Sequence, residues 1–95
     1  MNVRPAGRYY AYILFSLKDR GLYIGYTSDL NKRLRLHAVG KISATKSRLP
    51  VLLIHYEYFI NRADAKARET FLKSGYGHKQ LADILKRTII SLSDS

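Results

Sequence analysis

Cysteine is absent from this 95-residue chain. That excludes disulfides and thiolate metal sites, and it suits a reducing compartment such as the cytoplasm. Acid is scarce: seven carboxylates stand against 17 lysines and arginines, a formal net charge of +10. No aliphatic run is longer than Val51 to Ile54, far short of the ~20 residues that cross a bilayer as a helix. The amino terminus sets Arg4, Pro5 and Arg8 ahead of its tyrosines and lacks the apolar stretch of a signal peptide. There is no phosphate-binding loop, and Gly75-Tyr76-Gly77 is too short for a dinucleotide fingerprint and follows no strand pattern. No carboxylate pair has the look of a two-metal nuclease. Repeats, linkers and low-complexity segments are missing too, so the length allows a single domain with a modest core.

What the chain does have is positive charge, unevenly placed. Between Asp29 and Glu57 there is no acid, yet Lys32, Arg33, Arg35, Lys41, Lys46 and Arg48 all fall there. Such an excess favours polyanions through counterion release. An anionic membrane surface would attract the same charges, and a plain solvated face is the ordinary reading of a charge run. Clustered beside tyrosine-bearing strands, Lys32, Arg35, Lys41, Lys46 and Arg48 are expected to track nucleic-acid phosphates.

The organisation reads as an α+β domain over residues 9–91, with an N-terminal arm at 1–8 and a frayed end at 92–95. Residues 9–17 alternate as a strand, with Tyr10, Tyr12 and Leu14 on one face and Tyr9, Ala11, Ile13 and Phe15 on the other. Lys18-Asp19-Arg20-Gly21 is turn chemistry, with Gly21 the residue able to take positive φ. Residues 22–27 form the second strand, where Gly25 marks a bulge or a close backbone approach. Thr27-Ser28-Asp29 supplies a helix start, and Leu30, Leu34 and His37 lie on one stripe. Residues 39–50 look irregular. Val51 to Ile60 is the third strand. Asn61 caps a helix from Arg62 to Lys73 with Ala63, Ala67 and Phe71 on one face, and Ser74 to Gly77 stops it. A last helix runs from His78 to Ser91, with Leu81, Ile84, Leu85, Thr88 and Ile89 at amphipathic spacing. The order β-β-α-β-α-α gives a small three-stranded antiparallel sheet flanked by helices.

Several side chains could carry chemistry. Arg33 and His37 are four apart and share a helix face. Arg33 could hold a phosphate through two parallel hydrogen bonds, and His37 could move a proton near neutral pH. Taken alone, each is more simply an exposed arginine and a satisfied histidine. Tyr12 and Tyr23 sit on adjacent strands, but a phenol needs a nearby cation or metal before it can act as a base at neutral pH. Eight tyrosines in so short a chain also speak for packing, which is the expected use of Tyr9, Tyr56 and Tyr58. His55, among apolar residues, reads as structural. Glu69 has Lys73 four residues on, an ordinary intrahelical pair; as a lone metal carboxylate it would suit a hydrated Mg²⁺.

Together these residues resemble the GIY-YIG nuclease family, in its small stand-alone bacterial branch. Tyr10-Ala11-Tyr12 stands where the family has Gly-Ile-Tyr, and Tyr23-Ile24-Gly25 matches the second signature letter for letter. The stretch YIGYTSDLNKRLRLH, Tyr23 to His37, is similar to the family's strand-to-helix segment, and Arg68-Glu69 with Phe71 to Gly75 resembles the helix bearing its metal glutamate. The resemblance spans about residues 9–87. It implies Tyr12 as general base or water-orienting phenol, and Tyr23 as the group positioning water or phosphate. Arg33 would stabilise the scissile phosphate, and His37 would assist proton transfer or orient a tyrosine. Glu69 would hold one Mg²⁺ or Mn²⁺. The implied activity is metal-dependent hydrolysis of nucleic-acid phosphodiesters, of DNA in preference to RNA, selecting structure rather than sequence. A protein partner could supply further specificity.

Two departures stand out. Tyr10 replaces a glycine, and no asparagine follows Asn61 to fill the family's asparagine role, for which His78 and Gln80 are the candidates. They keep open the alternative of a non-catalytic nucleic-acid-binding module on the nuclease fold.

Overall fold

A computed structural model of the chain describes residues 6–94. Three strands form one antiparallel sheet, β1 (Tyr9–Ser16), β2 (Leu22–Thr27) and β3 (Val51–Phe59), in the order β2-β1-β3. Two helices lie between β2 and β3: α1 (Leu30–Ala38) and the single turn α2 (Ser43–Lys46). Three follow β3: α3 (Arg62–Leu72), α4 (Gly75–Ile84) and α5 (Lys86–Ser93). No helix among the described residues is long and apolar enough to cross a membrane.

β1 is the hydrophobic centre. As the middle strand it is covered on both faces, so every residue from Ala11 to Ser16 is buried. Its alternation divides the domain. Ala11 and Ile13 point with Ile24 into the main core, closed by Leu72, Leu81 and Leu85 from the helices, with Leu22, Ile54, Phe59 and Ile89 at its margin. Tyr12 points to the opposite face, where α1 lies. Helix α3 crosses all three strands. It is held to β3 by Arg68, whose Nε and Nη2 donate to the Glu57 carboxylate at 2.8 and 3.2 Å. His55 bonds the same carboxylate at 3.0 Å, which bears out its structural reading. Burial works to raise the Glu57 pKa, but the bonds from Arg68 and His55 outweigh it and hold the carboxyl below its usual range.

Local chemistry fixes the element ends. Asp29 accepts from the Lys32 amide, and Asn61 from the amides of Ala63 and Asp64, each an N-cap. Ser74 to Gly77, expected only to stop α3, also start the next helix: Ser74 caps α4 by accepting from Gly77 N. The expected single helix 78–91 is therefore two, α4 and α5, broken at Leu85 with φ −108° and ψ 18°. Leu81, Leu85 and Ile89 still form one inward stripe, while Ile84 is exposed.

Other expectations are corrected in detail. Residues 39–50 contain α2 rather than only irregular chain. Helix α3 buries Ala65 and Leu72, whereas Ala63, Ala67 and Phe71 face outward. At the β1–β2 turn Arg20, not Gly21, has positive φ (61°); Gly21 lies under the Arg48–Asp19 pair, where a Cβ would sit 2.8 Å from Arg48 Nη2 and shift that side chain. Pairing runs unbroken through Gly25, so it marks close approach and no bulge. The register shifts instead between β1 and β3 at Ile13/Leu14. The end at 92–95 was expected to fray, but α5 continues to Ser93. Most of the expected arm at 1–8 lies outside the described residues; within it, Gly7 N donates to Tyr58 Oη at 3.2 Å.

Gly77 carries a test of this packing. Alanine would raise helix propensity by ~1 kcal/mol. Its Cβ, however, would fall 2.0 Å from Phe71 O and 2.4 Å from Leu72 Cα, backbone atoms that cannot step aside cheaply. Overpacking wins, and Gly77→Ala should lose about 1–3 kcal/mol of stability, read as a lowered urea midpoint.

Candidate active site

The second face of the sheet gathers four of the five residues expected to carry chemistry. Tyr12 lies directly opposite Gly25 in the β1–β2 register. With no side chain at Gly25, the Tyr12 ring settles over the β2 backbone: a Cβ there would be 2.4 Å from its Cζ and 2.5 Å from its hydroxyl. The phenol is thereby enclosed, with 0% of the residue exposed. Its hydroxyl meets His37 Nε2 at 2.8 Å, and Arg33 Nε donates to the same oxygen at 3.4 Å. The Tyr23 ring stands beside them, its centroid 5.3 Å from that of His37 and 6.2 Å from that of Tyr12.

Thr45 completes the cluster. Its Oγ1 lies 2.6 Å from His37 Nδ1, and both residues are buried. We assign the hydrogens so that Arg33, which can only donate, gives to the Tyr12 oxygen, the Tyr12 hydroxyl gives to His37 Nε2, and Nδ1 carries the imidazole hydrogen and gives to Thr45 Oγ1. The chain runs Arg33 to Tyr12 to His37 to Thr45. Thr45 was not foreseen. Eight residues separate it from His37, a spacing with no local meaning. They meet because α1 ends in a Schellman turn, with Gly40 at φ 75°, Gly40 N donating to His37 O and Lys41 N to Leu36 O. That turn folds α2 back onto α1. The one available signal was Gly40 itself, a C-terminal stop after a basic helix.

The electrostatics follow from the enclosure. Burial pushes the Tyr12 phenol up to about 12, although the Arg33 guanidinium works against the rise. Burial, and then the Arg33 charge, lower the His37 pKa, which keeps the imidazole neutral at pH 7. The bond to Tyr12 raises the already high Arg33 pKa. At rest the site is thus a neutral phenol and a neutral imidazole behind one fixed positive charge. Arg33 also lines a cleft of about 430 Å³ with Thr27, Ser28, Asp29, Lys32 and Leu36.

The remaining expected residues divide. Lys32, Arg35, Lys41 and Lys46 are exposed. Arg48 is engaged elsewhere: its Nε and Nη2 donate to Asp19 at 2.5 and 3.1 Å and Nη2 to Leu22 O at 3.3 Å, tying the β1–β2 turn to the end of α2. Those bonds, chiefly the side-chain pair with Arg48, hold the Asp19 carboxyl down at about 2. Glu69 lies half-buried on α3, with Lys73 Nζ 3.0 Å from its Oε2. No group of three or more His, Cys, Asp or Glu side chains able to cage a metal exists among the described residues. His78 and Gln80 are both exposed on α4.

The family model of the GIY-YIG catalytic domain matches residues 8–81, a span running from β1 to α4 that contains Tyr12, Tyr23, Arg33, His37 and Glu69. The chain belongs to the GIY-YIG family. Similar proteins include the UPF0213 protein YsiG of Lactococcus lactis subsp. lactis (strain IL1403), 42% identical over 84 residues, covering 87% of this chain and 80% of the relative. The UPF0213 protein CPE1444 of Clostridium perfringens (strain 13 / Type A) is 37% identical over 81 residues, covering 84% and 86%. Among solved structures, the solution NMR structure of the UPF0213 protein BH0048 from Bacillus halodurans superposes with a TM-score of 0.52 at 34% identity, covering 80% of this chain and 83% of that one. The GIY-YIG chain thus has the fold its signatures implied.

The site yields two tests. Thr45→Val leaves a buried imidazole N–H without a partner and should cost about 1–3 kcal/mol; Thr45→Ser restores the acceptor and should recover most of it, as denaturant unfolding would show. For His37, the folded pKa lies below the unfolded value of ~6.5. The unfolded chain therefore binds the proton that the native site refuses. Stability should be full above pH 6.5 and fall as pH drops below it, with a slope of up to ~1.4 kcal/mol per pH unit. Unfolding measured from pH 7.5 to 5 should show this slope in the wild type and a shallower one in His37→Gln.

Proposed function

We propose that this protein is a metal-dependent endonuclease hydrolysing nucleic-acid phosphodiester bonds in the cytoplasm, acting on DNA in preference to RNA and selecting structure rather than sequence. The observation that carries this reading is the Arg33 guanidinium at the cleft rim, bonded through Nε to an enclosed phenol–imidazole pair. Engaged through Nε, it keeps both Nη groups to fork onto a phosphate. Its 3.4 Å bond to Tyr12 is the longest in the chain of contacts and gives way to the shorter, charge-assisted bonds a phosphate offers. Arg33 moving onto the phosphate uncovers the Tyr12 hydroxyl. Tyr12 then takes a proton from the water side while passing its own to His37 Nε2. A phenolate never has to persist, which matters when burial holds that phenol near pKa 12. Tyr23, half-exposed beside them, orients the water.

For a metal, the donor set fits a loosely held hard cation. Glu69 offers one carboxylate, and its present partner Lys73 is a solvated lysine that an ion would displace. A bound Mg²⁺ or Mn²⁺ would polarise the phosphate and ease departure of the leaving oxygen. The exposed Lys32, Arg35, Lys41 and Lys46 supply phosphate contacts that carry no sequence information.

A second reading draws on the complete enclosure of Tyr12: a binding module that keeps the fold without turnover. Labelled single-stranded, nicked and branched DNA incubated with Mg²⁺ or Mn²⁺ separates the two. Cleavage that falls by about 10²–10³-fold in Arg33→Ala, and comparably in Glu69→Ala with the fold intact, is the expected result. Undiminished cleavage in both variants would overturn the assignment, and metal-independent binding with no turnover by the wild type would establish the module.

A further inference from the structure

The face that carries Tyr12 continues beyond it, and the described residues leave it largely open, Gly7 N touching only the Tyr58 hydroxyl. In the β1–β3 register Tyr12 is opposite Tyr56 and Tyr10 opposite Tyr58, so the Tyr10, Tyr56 and Tyr58 side chains stand on the same face as Tyr12, with partners about 5 Å apart across the strands and the two rows about 7 Å apart along them. Helix α1 closes over Tyr12 but leaves this side open. Tyr56 and Tyr58 were expected to pack; they are 51% and 40% exposed. Tyr10 holds them together, with ring centroids 5.9 Å from Tyr56 and 5.8 Å from Tyr58. Their planes meet at 66° and 56°. One contact is T-shaped and the other tilted, neither a stacked sandwich, and the exposure of Tyr56 and Tyr58 leaves ring surface available to a planar ligand.

We propose that Tyr10, Tyr56 and Tyr58 form a stacking platform for unpaired bases of the nucleic acid whose phosphate enters the Arg33 cleft. Two features favour this occupant. The chain carries +10, and a strand stacking its bases here would run its phosphates past a strongly basic protein. The platform also adjoins the cleft, since Tyr10 pairs with Thr27, which lines it together with Arg33. Sequence tolerance follows, because every base has a π-face. The inference rests on the nucleic-acid reading of the site but not on catalysis.

The test is binding without metal. Fluorescence anisotropy would compare a labelled 12-nucleotide single strand and a blunt duplex of the same sequence, for the wild type, Tyr56→Ala/Tyr58→Ala and Tyr56→Phe/Tyr58→Phe. Each lost base–ring contact is expected to weaken single-strand binding by about five- to a hundred-fold, while the phenylalanine pair stays within about threefold of wild type. The slope of log affinity against log salt should not change, since no phosphate contact is removed. Duplex affinity should be unaltered. Unchanged single-strand affinity in the folded alanine pair would overturn the platform, and so would an equal loss for strand and duplex. Sedimentation of the same proteins addresses the remaining occupant: a wild-type dimer that the alanine pair dissolves would make this face a contact between copies and overturn the proposal. Undiminished cleavage in both Arg33→Ala and Glu69→Ala would overturn the nuclease assignment and leave these binding outcomes untouched.

Discussion

Everything at this site depends on one hydrogen bond in an enclosed place, from the Tyr12 hydroxyl to His37 Nε2. It ties the central strand to the first helix where neither partner can fall back on water. An unmet polar group there would cost about 1–3 kcal/mol, so α1 can dock in only one rotational setting. That setting carries Arg33, one turn earlier on the same face, to the rim. Gly25 makes the bond possible by leaving the hollow into which the phenol settles. The second glycine signature is therefore a requirement of packing, imposed by the first signature's tyrosine. Tyr10, where the family has glycine, conflicts with none of this, because it points beyond the α1 contact and toward β3.

Charge is organised around that bond rather than within it. Inside, burial keeps phenol and imidazole neutral. Outside, lysines and arginines stay hydrated and available. Arg48 shows that membership of a basic run does not decide a residue's work: it closes a bidentate pair with Asp19 and holds two loops in register. Arg68 does the like for α3 through Glu57, fixing the helix that bears Glu69.

How much was legible follows from how local each signal is. Strand alternation, the helix start at Thr27-Ser28-Asp29, the Asn61 cap, and the i, i+4 spacing of Arg33 and His37 act within one element, and all read correctly. Features that need two distant segments did not. Ser74 could be seen as a stop but not as a start, because the space that demands Gly77 is made by Phe71 and Leu72. Positive φ went to Gly21 by residue type, although Arg48 claims the volume beside it and Arg20 takes the turn. Thr45 was invisible because its meaning depends on a reversal at Gly40. Tyr56 and Tyr58 were assigned to packing by composition, which cannot tell a covered sheet face from an open one.

The split between the sealed inner pair and the open outer tyrosines and cations has an evolutionary consequence. Substitutions of the outer tyrosines or of Lys32, Arg35, Lys41 and Lys46 alter the surface offered to a nucleic acid without disturbing the pair beneath, since none of them is hydrogen-bonded to Tyr12 or His37. Substitutions in the pair unsettle the fold itself. A lineage built this way can drift quickly in ligand preference while its inner residues stay fixed, even where selection for turnover is relaxed.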